Sequence, residues 1–401
     1  MSHHLRFSQA TAAWYNPWRG TMTDARRLIL HELHQQAGAS FAPWQGWTMP
    51  VRFRNVEEEY RAVRQRAGLI DWSAWGMIEV RGADRIAFLH QLLTNHIKAL
   101  RPGSGCEAAL LTPSAKLLTD LLVLADTDTH WLIAPRFRTQ TLLEQLNRYL
   151  ITEDVTLVDR GDAFALLAVQ GPASFEIGHR MLGEPIPVRQ PLEHARVSFK
   201  TVPLRLFAYS LTGERGFGIM VPVERAAGIW SLALESGASS DLMPVGWEAL
   251  NVLRLEAGIP WYGIDMDESF LLPEAGLTER LTSSTKGCYV GQEILARLQT
   301  YGSLSRKLVG VVCHGQTTPA RLTPLTKGGQ TVGEITSACR SPALAKPIAL
   351  AYVKRPFYEV GTQVVLALGG EEQPAELVAL PFLPIPSNRA NALGPSASIR
   401  P

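Results

Sequence analysis

A change of pattern at Arg306 limits what this chain of 401 residues can fold into more than any other feature. From Phe41 to about residue 305 the text alternates between strand-like and helix-like stretches. From Arg306 to Phe382 it breaks into short β-rich segments punctuated by Gly-Gly and Pro. The alternating part asks for sheets covered by helices, and the punctuated part asks for a small closed barrel. One domain usually takes ~100–200 residues, so more than one core is expected.

In the first part, Glu57-Glu58-Glu59 open a stretch that closes with Arg64, Arg66 and Gly68, the charge order that a helix dipole favours. Residues 76–80 read as a strand. Ile86, Leu89, Leu93 and Ile97 recur at helical spacing and predict a helix over 83–97. Strands are expected at 107–111 and 117–125, and a further helix near 140–149. The order predicts an α+β fold of antiparallel sheets with helices on one face, in ferredoxin-like units. The divisions that follow are an accessory arm at 1–38, an α+β domain of two lobes at 39–305, a β-barrel at 306–383 and a flexible tail at 384–401. The arm carries Trp14, Tyr15 and Trp18, then a helical run over 24–36. His31 and His34 lie in that run without HExxH spacing or a third ligand, so they read as packed or solvated rather than metal-binding.

Composition removes several functional classes. Lys plus Arg exceed Asp plus Glu by 39 − 37 = +2, too little to recruit a polyanion, so no nucleic-acid partner is expected. The four cysteines form no CxxC pair, which disfavours both a disulfide scaffold and a metal site. No apolar run approaches the ~20 residues of a membrane span, and the amino terminus lacks an apolar signal core, so the expectation is a cytoplasmic protein without a membrane partner.

Two segments carry chemistry. Lys286-Gly287-Cys288-Tyr289-Val290-Gly291-Gln292-Glu293 is a glycine-flexed turn entering a helix. A thiol ahead of a helix amino terminus and two residues from Lys286 sits where thiolate is favoured, whereas the plainer reading is a small packed hydrophobe. The second segment is a strand on which Leu118, Asp120, Leu122 and Leu124 share one face. A carboxylate there needs a partner or a raised pKa, unless it simply reaches water at the strand end.

The first string resembles the K-G-C-Y/F-x-G-Q-E signature of YgfZ-type proteins at every specified position. The resemblance widens to the glycine-cleavage T-protein superfamily. Phe41 to Pro50, ending Gly46-Trp47-Thr48-Met49-Pro50, looks like its F-x-G-W-x-M-P opening. Arg66 to Asp71, Leu253 to Gly263, Pro273 to Leu277 and Val332 to Ser337 look like later blocks in the same order. This resemblance, over roughly 41–382, implies two ferredoxin-like lobes around a central folate cavity plus a carboxy-terminal barrel. It also implies a tetrahydrofolate site with Asp120 at the transfer nitrogen, Arg254 in the pocket, and Trp47 and Tyr262 as flat walls. Three departures stand out. Thr119-Asp120 replaces a pair of acids, and in the Leu211–Gly218 block Leu211 replaces an aromatic and Gly218 the acid that grips the pterin. The leading expectation is therefore a folate-binding factor that assists iron–sulfur cluster assembly or repair, with Cys288 and Asp120 as the reactive groups and iron–sulfur clients or assembly proteins as partners. The alternatives are a folate-dependent aminomethyltransferase or demethylase, and a non-catalytic scaffold.

Overall fold

The computed structural model describes residues 25–384 apart from Gly369, and leaves out the side chains of 299–301. Most of the arm expected at 1–38, including Trp14, Tyr15 and Trp18, and nearly all of the tail expected at 384–401 lie outside the described residues.

A five-stranded sheet is built from Ser104–Leu111, Leu117–Ala125, His130–Pro135, Trp75–Arg81 and Thr156–Asp159, in that spatial order and antiparallel throughout. Helices Arg85–Leu92 and Thr139–Asn147 cover one face, where Phe88, Leu89, Leu142 and Leu146 meet Val123 and Leu132. A six-stranded sheet orders His194–Phe199, Val202–Ala208, Gly216–Pro222, Phe164–Gln170, Gly68–Asp71 and Met243–Pro244. Only its last pairing is parallel. Helices Ser174–Leu182 and Ala226–Gly237 cover this sheet through Ile177, Met181, Ile229 and Trp230. Each sheet turns its other face toward a shared central core, in which Leu122, Leu124 and Ile133 of the first meet Phe207 and Met220 of the second.

The last six strands, beginning at Arg306–Cys313 and ending at Glu371–Val378, close into a barrel filled by Val311, Leu325, Ile335, Ala351 and Leu377. Among the described residues no helix is long and apolar enough to cross a membrane.

The helix expected over 83–97 stops at Leu92. The physical reason is competition for its last carbonyls: the Lys286 ammonium donates to the oxygens of His90, at 2.6 Å, and Leu93. Leu93 then turns extended and bridges to Leu110, and a short 3-10 turn at Ile97–Ala99 buries the remaining apolar residue. The helical run expected over 24–36 is confined to His31–Gln36, behind a two-residue strand at Arg26–Arg27. These residues pack into the molecule. Leu30 joins the core of the six-stranded sheet, and His34 Nε2 lies 2.8 Å from Asp71 Oδ2 with both side chains wholly buried.

Candidate active site

Leu111 pairs with Leu117, and Leu110 with Thr119, so the register slips by one residue between these pairs. This bulge leaves Leu118 out of the ladder. Its carbonyl accepts instead from Arg138, at 2.8 Å from Nη2, and its side chain packs on the helix-covered side. The alternation expected from Leu118 therefore holds from Asp120 onward. Asp120 shares the central face with Leu122 and Leu124.

Asp120 opens onto a cavity between the two sheets. Its apolar walls are Trp72, Trp75, Leu211, Ile259, Pro260 and Trp261, and its polar groups include Glu107, Tyr209 and Arg280. The Asp120 Oδ1 atom is buried and has no hydrogen-bond partner among the described residues. Burial pushes its carboxyl pKa up to about 6. The Arg280 charge and the residue's own backbone amide oppose that rise, and Glu107 adds to it. The groups beside it are fully engaged. Arg280 grips both Glu107 oxygens through Nε and Nη2, and the Tyr209 hydroxyl donates to Glu107 at 3.1 Å. Burial, followed by the Glu107 charge, raises the Tyr209 phenol well above its ordinary range. Trp72 and Tyr209 stack with centroids 5.5 Å apart and planes within 1°, forming a flat wall.

Local sequence holds these groups in place. Gln170 accepts from the Leu211 amide at 3.0 Å and donates to the Tyr209 carbonyl at 2.9 Å, which fixes the turn that carries both walls. Gly218, where the resemblance expects a pterin-gripping acid, faces the Phe207 ring, and a Cβ there would lie 2.3 Å from it. Phe207 fills that space, packing 5.9 Å from Trp72.

Three of the four residues expected to bind folate lie elsewhere. Arg254 is wholly buried outside the cavity lining, with Nη1 2.5 Å from Asp265 Oδ2 and Nε 2.9 Å from Asn251. Asp265 also accepts from the Trp261 amide and from the hydroxyls of Thr336 and Ser337 in the barrel. Arg254 thus pins the Ile259–Trp261 wall rather than touching the cavity. Trp47 lies under the guanidinium of Arg26, at 4.7 Å, and near that of Arg136. Tyr262 donates to the Leu117 carbonyl at 3.3 Å, with Arg138 over its ring at 5.2 Å, one residue beyond the wall that Trp261 provides. Glu107, Tyr209 and Arg280 escaped the sequence reading. The only hint was an acid at position 107 in a strand that also carries Ala108, Ala109, Leu110 and Leu111.

Cys288 is exposed and does not line the cavity. Lys286 is turned away from it into the molecule, toward the carbonyls of His90 and Leu93 and over the Tyr289 ring at 4.7 Å. Burial lowers its pKa to about 8, opposed by Cys106. The ammonium that was expected to favour a thiolate is spent on helix carbonyls. Gly287 bounds open space, whereas Gly291 is required: its φ is +81°, and a Cβ would lie 2.7 Å from the Thr112 carbonyl. From there Gln292 and Glu293 open the helix Gln292–Tyr301.

Residues 30–284 match the family model of the GCVT N-terminal domain, and 306–383 match that of the glycine cleavage T-protein C-terminal barrel domain. An aminomethyltransferase of Symbiobacterium thermophilum is 35% identical over 91% of this chain and 99% of its own length. One from Streptomyces coelicolor is 33% identical over 90% and 98%. The crystal structure of the glycine cleavage system aminomethyltransferase T from Bartonella henselae superposes with a TM-score of 0.82 at 27% identity, covering 89% of this chain and 98% of that one. These relatives overturn the expectation of an iron–sulfur assembly factor with iron–sulfur clients, and they favour the transferase alternative.

Proposed function

This chain belongs to the glycine-cleavage T-protein family, and we propose that it is an aminomethyltransferase that moves the one-carbon unit of an aminomethyl group onto tetrahydrofolate in the cavity around Asp120. The observation that carries this reading is a carboxylate with a pKa of about 6 and an oxygen that has no hydrogen-bond partner among the described residues, set in a cavity beside a flat aromatic wall.

The residues suit the ligand. The Trp72–Tyr209 wall, with Trp261 and Leu211, offers apolar faces to a planar ring system, and Asp120 offers an acceptor to its N–H groups. Folate supplies the nitrogens that take up the carbon. The chain's own contribution is proton handling and positioning. As the amine departs it needs a proton, and the accepting nitrogen must lose one. A carboxyl that titrates close to the operating pH can hold or hand over a proton at either point. Arg280 and Tyr209 keep Glu107 fixed, and Asp120 Oδ1 is left without a partner among the described residues.

The Lys286–Glu293 string, YgfZ-like in its residues, is read as a structural loop within this family. Its lysine closes the helix Arg85–Leu92, and Gly291 lets the chain pass the Thr112 carbonyl. Titration of the purified chain with tetrahydrofolate tests the site. Tryptophan emission should change as Trp72, Trp75 and Trp261 are covered, and Leu211→Trp, which fills the cavity, should abolish the change. No binding at millimolar folate would contradict the proposal.

A further inference from the structure

Glu107 pairs with Leu122, and Asp120 with Ala109, across two adjacent antiparallel strands. The two carboxylates therefore lie diagonally on one face of the sheet, a spacing at which long side chains still interact. Both line the same cavity, and among the residues that line it Arg280 is the one cation. Arg280 comes from the short helix Thr278–Leu281, 173 positions beyond Glu107 in the sequence. Its Nε and Nη2 are committed to Glu107, and Nη2 also lies 3.2 Å from the Tyr209 hydroxyl. We propose that Arg280 is a positioning residue that sets the charge of Asp120: one guanidinium is divided between two acids, held in contact with Glu107 and acting on Asp120 through space. The inference rests on the proposed function only in taking Asp120 as the reacting group.

The arrangement leaves little else to do this. The groups that face Asp120 are Glu107 on the neighbouring strand, Arg280 on the short helix and the Tyr209 phenol, while the Tyr262 phenol outside the lining is coupled to it only through charge. Both phenols are raised by burial and stay neutral over the working range. The balance at Asp120 is therefore between burial and Glu107, which favour the proton, and Arg280, which favours its loss. Fixing Glu107 with two contacts from Arg280 and one from Tyr209 keeps this balance constant while a ligand enters.

The test reads Asp120 directly and needs no turnover. The chain is labelled with 13C at the aspartate carboxyl carbon, Asp120→Asn assigns the resonance, and pH is titrated. The wild-type midpoint should fall near 6. Arg280→Met should raise it by about one unit or more, tenfold in the protonation equilibrium, and Glu107→Gln, which frees the guanidinium from its acid, should lower it by about half a unit or more. Arg280→Lys should hold it near the wild-type value. Loosening of the cavity would lower the midpoint in every variant, so shifts of opposite sign identify the charge. Equal midpoints, or shifts of one sign, would overturn the proposal. Should Arg280→Met fail to fold, Arg280→Gln takes its place: it should likewise raise the midpoint, and an unchanged or lowered midpoint in it would overturn the proposal. If the shifts appear while no one-carbon transfer is found, the charge balance stands and the proposed reaction falls.

Discussion

At the scale of single residues, Asp120 is held at a cost to the fold. Its pKa is about 6 in the folded chain against a usual 3.8, so folding favours the protonated form. The stability this gives is complete below about pH 4 and is lost as pH rises through 6. Asp120→Asn should therefore match the wild type near pH 4 and exceed it at pH 8 by up to about 3 kcal/mol, from about two pKa units at 1.36 kcal/mol each. Urea midpoints at the two pH values check this, and an equal difference at both would refute it. The gain in stability should accompany a loss of activity, as expected where a site stores an unfavourable charge.

At the scale of elements, the cavity wall Ile259–Trp261 is held from behind by an ion pair that the sequence does not reveal. Arg254 is recognisable as the arginine of a family block, but its guanidinium is used by Asp265 eleven residues later, and neither touches the cavity. Arg254→Ala leaves the Asp265 carboxylate buried without its cation and should cost about 3–5 kcal/mol, read by denaturant unfolding. A loss of folate binding without a loss of stability would instead put Arg254 in the pocket. The strand Gly216–Pro222 makes a second case. Gly218 shows the absence of an acid from sequence alone, yet only the fold shows that the Phe207 ring has taken the space. Gly218→Ala should destabilise by about 1–3 kcal/mol through overpacking. Phe207→Leu should relieve it, so the two changes together should cost less than their sum. What the sequence shows follows from local rules: the period of two puts Asp120 on the inner face, and the pattern change at Arg306 marks the barrel. What it hides is the pairing of residues far apart, such as Arg280 with Glu107, 173 positions away, and the direction in which a flexible Lys286 points.

At the scale of the whole molecule, the barrel holds the cavity without lining it. Thr336 and Ser337 bond Asp265, Ser341 bonds Glu256 at 2.5 Å, and Glu256 in turn accepts from Tyr60 and Arg64 of the helix Val56–Gln65. Glu274, just ahead of the lining residues Leu277 and Arg280, is tied to the start of the barrel through Arg306, at 3.2 Å, and through its own carbonyl to the Leu308 amide. Both sheets, the wall and the barrel thus meet around one cavity, and the central claim is that one-carbon transfer happens there. The direct test is a single-turnover measurement with enzyme in excess over tetrahydrofolate and an aminomethyl donor, following methylenetetrahydrofolate and ammonia together. The wild type should form the two in equal amounts, and Asp120→Asn should bind folate yet slow their formation about 100-fold or more. Transfer at the wild-type rate by Asp120→Asn, or folate binding by the wild type without either product, would contradict the account.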